Sequence, residues 1–239
     1  QDLNYILPHI DAAIERFPDN VWLKRDKAKI LLAAGMHEDA MTFGMAVAKA
    51  KADDYWAWEL LGDIVESTDP AAALGCYCKA LCCPADDKFT GKVRLKLARS
   101  MIHVNDFAPA KHEVETVMRQ KEKDGQRVPD GAVQISTLPW FASTQTNESN
   151  VDYYRSHASA ADSLLLGKLP WISANVGDQF FIPGMEKKPK RKIFIETSAE
   201  PLEASIPEWK FEHGNLAVGD GLRIKGEYDA AQRFKIYAV

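Results

Sequence analysis

The 239-residue sequence lacks the motifs that mark most enzyme classes. It contains no phosphate-binding glycine loop, no dinucleotide-binding fingerprint and no nucleophile elbow. Its six histidines are scattered without the paired spacing of a metal site. No stretch reaches the apolar length of a membrane span, and the first residues do not resemble a signal peptide. These absences favour a protein that is not an enzyme, that needs no cofactor or metal, and that has no membrane partner.

Cysteine is scarce, and all four cysteines fall within eight residues of one another. On a helix, Cys78 and Cys82 share one face, while Cys76 and Cys83 lie roughly on the opposite one. Four ligands placed in this way cannot surround one metal ion. We interpret the cysteines as reduced thiols that serve as small apolar side chains in a cytoplasmic protein. A metal or redox role for two of them is the alternative.

The sequence also lacks a strong excess of either charge. The formal net charge is -4, with 20 basic and 24 acidic residues in 1–169 and 10 of each in 170–239. This balance indicates neither a protein that binds nucleic acid through a large excess of positive charge nor a disordered acidic tail. The length suits two ordinary domains. The chain starts without Met and ends in an apolar run, from which we expect it to be part of a longer protein.

What the sequence does contain is an internal repeat of about 34 residues in its first half. Ala52-Asp53-Asp54 recurs 33 residues later as Ala85-Asp86-Asp87. Ala28 and Gly62 are 34 residues apart, and Ala98 follows 36 residues further on. Such a period predicts stacked helix pairs, because each pair buries its apolar face only against its neighbours. An ordinary bundle of amphipathic helices is the alternative.

Small residues recur where the two helices of each predicted pair cross: Ala28 with Ala40, Gly62 with Ala73, and Ala98 with Ala110. In this respect residues 2–124 resemble the tetratricopeptide repeat (TPR) family. The middle copy is the best, with Trp58, Leu61, Gly62, Val65, Ala73, Tyr77, Ala80 and Pro84 at the family positions. Lys24 and Arg94 stand where the family has an aromatic residue, and the turn at Asp69-Pro70 is one residue short. Residues 3–16 resemble the second helix of a preceding repeat.

The resemblance implies a curved solenoid whose concave face, built from the first helices, binds a peptide or a partner helix. Trp22 and Trp56 are the expected anchors, with packing between repeats as the alternative. Leu60 stands where the members that clamp a terminal carboxylate have Asn, which argues against that specificity. The charged positions also fit an ordinary solvated helix face. The matching positions are Trp22, Arg25, Lys29, Trp56, Glu59, Asp63, Glu66, Lys92, Leu95, Lys96, Arg99 and His103.

The helical pattern stops at Asp124. Residues 125–148 are rich in Gly, Pro and polar side chains, which predicts a linker with Leu138-Pro139-Trp140-Phe141 as a packed patch. Residues 149–167 predict a helix with Ser149 or Asn150 as its cap. We expect this helix to cap the repeats or to connect them to the next domain.

Beyond Pro170 the apolar period changes from 3.6 to 2, which predicts a small closed β-barrel in residues 168–239. The expected strands are Trp171–Val176, Gln179–Ile182, Lys190–Thr197, Trp209–Phe211, Gly221–Lys225 and Arg233–Tyr237. Turns are expected at Pro183-Gly184, Glu200-Pro201, His213-Gly214-Asn215 and Gly219-Asp220-Gly221.

The last predicted hairpin, residues 218–237, resembles that of an OB-type RNA-binding module of the ribosomal or cold-shock kind. Repeats joined to such a barrel are similar to TPR proteins of bacterial transposon-associated conflict systems. A module of this kind holds single strands with cations along a groove and with rings that stack on bases. A solvated basic hairpin above core aromatic residues is the alternative. The candidates are Lys187, Lys188, Lys190, Arg191, Lys192, Trp209, Arg223 and Lys225, with the rings of Phe194, Phe211 and Phe234.

The sequence therefore predicts an adaptor: a helical TPR solenoid that binds a protein or peptide partner, followed by an accessory OB-like barrel. The alternative is a nucleic-acid-binding protein that holds a single strand on its barrel and uses the repeats as a positioning scaffold. A third interpretation is a regulatory subunit of an enzyme whose chemistry lies outside this sequence.

Overall fold

A computed structural model describes residues 3–196, 202–211, 216–229 and 232–239. The chain divides into two compact units, Gln1–Leu165 and Leu166–Val239. The first unit is helical and the second is built around a five-stranded antiparallel sheet. The expected fold class, a helical solenoid followed by a small all-β barrel, is confirmed.

Helices of the first unit associate in hairpins, as the 34-residue period predicts. The pairs α2–α3, α4–α5 and α6–α7 make the most extensive helix–helix contacts, and each pair packs on the next. Polar caps set the starts of the helices: the side chains of Asn20, Asp69 and Asp86 accept backbone N–H groups of α2, α5 and α6. The helices are α1 Leu3–Arg16, α2 Val21–Ala33, α3 His37–Ala50, α4 Tyr55–Val65, α5 Pro70–Cys82, α6 Asp87–His103, α7 Phe107–Lys123, α8 Asp130–Ser136, α9 Pro139–Ser143 and α10 Val151–Leu166.

The small residues of the repeat lie inside the helix pairs. Ala28, Ala40, Ala73, Ala98 and Ala110 are all completely buried. Gly62 is the tightest of these positions, because a Cβ atom there would lie 2.5 Å from the ring of Tyr77 on the facing helix. Close approach of the helix backbones therefore depends on these side chains being small.

The segment 125–148 is not the plain linker that the sequence predicts, because it contains α8 and α9. Helix α8 buries Ala132 and Ile135, and the ring of Trp140 on α9 stacks on Phe107 with centroids 4.9 Å apart. Helices as short as α8 and α9 need only a few buried apolar residues. The polar composition of the segment therefore gave no helical pattern in the sequence.

Helix α10 belongs to the helical unit for nearly all its length. It packs so closely on α5 that a Cβ atom at Gly75 would lie 2.8 Å from Ala160 and 3.0 Å from the carbonyl oxygen of His157. Asn150, at its start, donates a hydrogen bond to the Pro109 carbonyl oxygen at 2.9 Å. These contacts fit the cap that the sequence predicts better than they fit a connector.

The second unit forms a nearly closed barrel with strand order β3-β2-β1-β4-β5. The two edge strands, β3 and β5, contact each other, which brings the sheet round to an OB-like arrangement. Its core contains Ala174, Ile193, Ile195, Ala204, Ile206 and Ile224. The strands are β1 Ile172–Phe180, β2 Lys190–Ile195, β3 Leu202–Pro207, β4 Gly221–Tyr228 and β5 Phe234–Ala238.

Three strand predictions are corrected. One strand, β1, replaces the two predicted strands Trp171–Val176 and Gln179–Ile182, and it leaves out Trp171, Phe181 and Ile182. It continues through a β-bulge at Gly177, where the ring of Phe194 leaves no room for a side chain. Trp209–Phe211 overlaps a 3-10 turn, Glu208–Lys210. Strand β3 was not predicted, because its two buried residues, Ala204 and Ile206, give a weak alternating signal. Thr197 and the turns at Glu200-Pro201 and His213-Gly214-Asn215 lie outside the described residues.

Within the described ranges, every helix is too short or too polar to cross a lipid bilayer.

Candidate protein-binding face and barrel surface

The residues predicted for the groove lie at helical spacing on three successive first helices. We call them the first-helix face: Trp22, Arg25 and Lys29 on α2, Trp56, Glu59 and Asp63 on α4, and Lys92, Lys96 and Arg99 on α6. Positions separated by three, four or seven residues fall on one side of a helix. Side-chain contacts join α2 to α4 and α4 to α6, so the three helices present this face together.

An aromatic cluster occupies the start of this face. The indole rings of Trp22 and Trp56 stack with centroids 4.9 Å apart and planes 22° apart. The guanidinium of Arg25 lies 4.7 Å from the centroid of Trp22 and is held by an ion pair of 2.7 Å to Asp26. Trp56 is partly buried against the core, whereas Trp22 is 48% exposed. Trp56 thus packs between repeats and supports Trp22, whose ring remains open to a partner.

A hydrogen-bonded ion cluster occupies the middle of the face. The Nζ of Lys96 donates to Glu59 Oε1 at 2.6 Å and to Asp63 Oδ2 at 2.7 Å, and Tyr77 donates to Asp63 Oδ1 at 3.0 Å. Burial acts to lower the pKa of Lys96, but the bonds to Asp63 and Glu59 outweigh it, so its pKa is raised. Burial, together with the charge of Asp63, raises the pKa of Tyr77. One cation thus binds two carboxylates, which leaves one negative charge in excess and links α4 to α6.

Three cations on the face keep their charge uncompensated. Lys29, Lys92 and Arg99 are exposed and have no hydrogen-bond or ion-pair partner among the described residues. Both acids of the face, Glu59 and Asp63, are already bound by Lys96. The face is therefore positive overall, although the chain has a net charge of -4.

A second polar cluster, which the sequence did not reveal, lies inside the helical unit. Glu113 on α7 is completely buried and accepts hydrogen bonds from Arg94 at 2.7 Å, from Asn150 at 2.6 Å and from the Tyr154 hydroxyl. Arg94 also pairs with Asp87 at 2.6 Å. Burial and the Glu113 charge raise the pKa of Tyr154. Every buried polar side-chain atom in the described part of the chain has a hydrogen-bond partner. The cluster holds α6, α7 and α10 together, so we interpret its role as structural.

Two of the four cysteines are placed as small apolar residues, whereas Cys82 is exposed and Cys83 is partly exposed. Cys76 and Cys78 are buried, and all four thiols are free. Burial raises the pKa of the Cys76 and Cys83 thiols to about 12. No group of three or more His, Cys, Asp or Glu side chains in the described part of the chain is arranged to hold a metal ion.

The structure corrects the expectation that the basic run of the barrel forms one cluster. Lys187 and Lys188 are exposed on the loop between β1 and β2. Strand alternation then places Arg191 on the side of the buried Ile193, where it forms an ion pair with Glu208 at 2.5 Å and donates to the Leu216 carbonyl oxygen. Lys190 and Lys192 project to the other side, and Lys192 pairs with Glu203 at 3.1 Å. Two of the five cations are thus engaged within the barrel.

The exposed rings of the barrel include one that the sequence analysis did not select. Trp171 is 45% exposed and is flanked by Arg223 and Lys225, at 5.9 Å and 5.1 Å from its centroid. Trp209 is 62% exposed with Lys210 at 5.2 Å. Phe194 is also exposed, whereas Phe211 and Phe234 pack against the core. Trp171 precedes its strand by one residue, and its spacing from Arg223 across the sheet cannot be read from the sequence.

No curated protein and no solved structure matches the chain. One family model does, the Domain of unknown function DUF7017, over residues 21–161. The match begins at the first residue of α2 and ends within α10, so it covers the repeats and their cap and excludes the barrel. Because it spans more than half of the sequence, the chain belongs to the DUF7017 family.

Proposed function

We propose that the helical unit is an adaptor of the tetratricopeptide type, which binds an acidic segment of a partner protein on the first-helix face. The barrel is an accessory module in this proposal, and the protein works in the cytoplasm without catalysing a reaction. The observation that carries the proposal is the open ring of Trp22, which stacks on Trp56 and contacts Arg25, on a face that also has three cations without a partner in the described chain.

The aromatic cluster supports an anchored mode of binding. A half-exposed indole that is already held in place loses little conformational freedom when a partner covers it. Trp and Arg are the residue types that contribute most to interfaces, and Trp22 and Arg25 lie in contact. A partner that presents an apolar or aromatic side chain would cover Trp22.

The charges of the face decide the chemistry of that partner. Lys29, Lys92 and Arg99 are positive and unpaired in the described chain, so Asp or Glu side chains spaced along a peptide would complement them. A basic peptide would meet repulsion at three positions. We therefore expect the partner segment to combine acidic residues with one large apolar residue.

The test is a fluorescence anisotropy titration of the full chain with a fluorescein-labelled peptide of alternating Glu and Phe residues. Trp22→Ala should weaken binding about thirtyfold, because a buried anchor contributes about 2 kcal/mol. The double charge reversal Lys92→Glu and Arg99→Glu should weaken it at least tenfold at low salt.

Two matched controls make this result specific. Tyr5→Ala removes an exposed ring on α1, and Arg119→Glu with Lys123→Glu reverses two charges on α7; neither change touches the first-helix face. Both controls should bind within twofold of the parent protein. Equal losses in the control and test variants, or no loss in either, would remove the face from the proposal.

A second candidate function rests on the barrel. Lys187 and Lys188 are exposed on the β1–β2 loop near Phe181 and Met185, which are each more than half exposed, and in OB folds this loop borders the strand-binding surface. Binding of single-stranded RNA there should weaken with salt and should be lost in Lys187→Ala with Lys188→Ala. An oligonucleotide titration at low salt that shows no binding would exclude this candidate.

A further inference from the structure

A groove of about 1010 Å³ lies in the helical unit, away from the aromatic cluster of the first-helix face. Its walls come from the turn between α4 and α5, the start of α5, the last turn of α6 and one side of α10. Leu74, Val104, Pro70 and Ala160 give it apolar walls. A volume of this size accommodates several residues of a peptide.

The charged groups that line this groove are carboxylates. Glu66, Asp69 and Asp106 line it, and no Lys or Arg is among its lining residues. Glu66 is exposed and has no hydrogen-bond or ion-pair partner in the described chain. Asp69 uses one oxygen to cap α5 through the Ala72 N–H at 3.0 Å. Asp106 accepts the Tyr153 hydroxyl on Oδ2, so each of the three acids keeps an oxygen that can bind a ligand.

A pair of stacked rings forms another part of the wall. Tyr153 and His157 on α10 stack with centroids 4.2 Å apart, and the Tyr153 hydroxyl donates to Asp106 Oδ2 at 2.8 Å. Nδ1 of His157 bonds to the Tyr153 carbonyl oxygen at 2.9 Å, which fixes the imidazole on its own helix. An aromatic face beside carboxylates is a favourable site for a guanidinium or ammonium group.

We propose that this groove is a second docking site, which binds a partner segment carrying Arg or Lys next to apolar residues. Its charge complementarity is opposite to that of the first-helix face, so the two sites select different segments. The apolar walls hold the aliphatic part of the ligand, and the carboxylates with the Tyr153 ring hold the cationic group.

The test uses the full chain and a fluorescein-labelled decapeptide of alternating Arg and Leu residues, titrated by anisotropy at low salt. The triple variant Glu66→Gln, Asp69→Asn, Asp106→Asn should bind about tenfold more weakly, because each exposed charge pair contributes only a few-fold. Ser159→Trp, which fills the groove from α10, should weaken binding at least tenfold.

Matched controls separate the groove from the general negative charge of the protein. Glu38→Gln, Asp39→Asn and Glu122→Gln remove three exposed carboxylates elsewhere, and Ser163→Trp places the same ring on α10 outside the groove. Both should bind within twofold of the parent, and thermal melts should show that all variants fold. An equal loss in the control variants, equal binding of a Glu–Leu decapeptide, or unchanged binding by Ser159→Trp would each overturn the proposal.

Discussion

Glu113 shows how single residues hold this fold together. It is completely buried with a negative charge, and Arg94, Asn150 and Tyr154 donate to it from three other parts of the helical unit. The resemblance to tetratricopeptide repeats leads us to expect an aromatic residue at position 94. In the structure Arg94 forms the buried ion pair with Glu113 there.

Removal of one partner from this cluster should be far more costly than removal of an exposed charge. We expect Glu113→Ala to lower the free energy of unfolding by about 3–5 kcal/mol. Arg94 then loses its buried partner and keeps only the exposed carboxylate of Asp87, and Asn150 and Tyr154 lose their acceptor. Glu115→Ala, two residues away and in a partly exposed pair with Lys111 of 3.8 Å, should cost less than about 1 kcal/mol. Urea unfolding of the two variants measures the difference. Equal urea midpoints for the two variants would mean that the Glu113 cluster does not stabilise the fold.

The buried thiols predict a loss of stability in alkaline solution. The pKa of Cys76 is raised from 9.0 to about 12 by burial and, to a smaller extent, by the charges of Asp162 and Asp69. The contribution of this thiol to the free energy of unfolding is complete below pH 9. It falls as the pH rises from 9 towards 12, because the thiol loses its proton in the unfolded chain before it does so in the folded protein. The slope is about 1.4 kcal/mol per pH unit for such a group.

Denaturant unfolding at pH 8, 9.5 and 10.5 checks this expectation. The parent should lose stability across the series, and Cys76→Ala should lose less between pH 9.5 and 10.5 than the parent does, whatever its stability at pH 8. Parallel pH profiles for the two proteins would show that this thiol does not contribute.

At the scale of elements, α4 and α5 cross in close contact. Gly62 faces the ring of Tyr77, which is completely buried. This small residue was expected from the repeat spacing together with the resemblance to tetratricopeptide repeats. The sequence could not predict α8 and α9, because short helices bury few residues, nor β3, which is short and buries only Ala204 and Ile206.

A methyl group at the crossing should destabilise the fold, whereas the same change at an open position should not. Gly62→Ala places a Cβ atom 2.5 Å from Tyr77 and should cost about 1–3 kcal/mol. Gly91→Ala on α6 meets its nearest neighbour at 3.9 Å and should stabilise the helix by about 0.5–1 kcal/mol. Thermal melts with shifts of opposite sign would support the packing. A Gly62→Ala variant that melts with or above the parent would contradict it.

At the scale of the whole molecule, the chain combines a helical unit with a barrel, and the family match ends at residue 161, just before the helical unit ends at Leu165. The order of the two folds could be predicted from the sequence, because the apolar period changes once, near Pro170. Of the twelve predicted positions, nine form the first-helix face on α2, α4 and α6, since helical spacing decides which residues share a side. Leu95 is buried instead, and Glu66 and His103 line the second groove. Contacts between distant residues, such as Lys96 with Glu59 or Tyr153 with Asp106, depend on packing and were not predictable.

The most direct test of the first-helix face is hydrogen exchange of the full chain with and without a saturating concentration of the Glu–Phe peptide. We expect slower exchange in the first turns of α2 and α4 and along α6, where Trp22, Trp56, Lys92 and Arg99 lie. No change is expected in β1 to β5. Protection confined to Leu166–Val239, or none at saturation, would contradict the assignment of partner binding to the helical repeats.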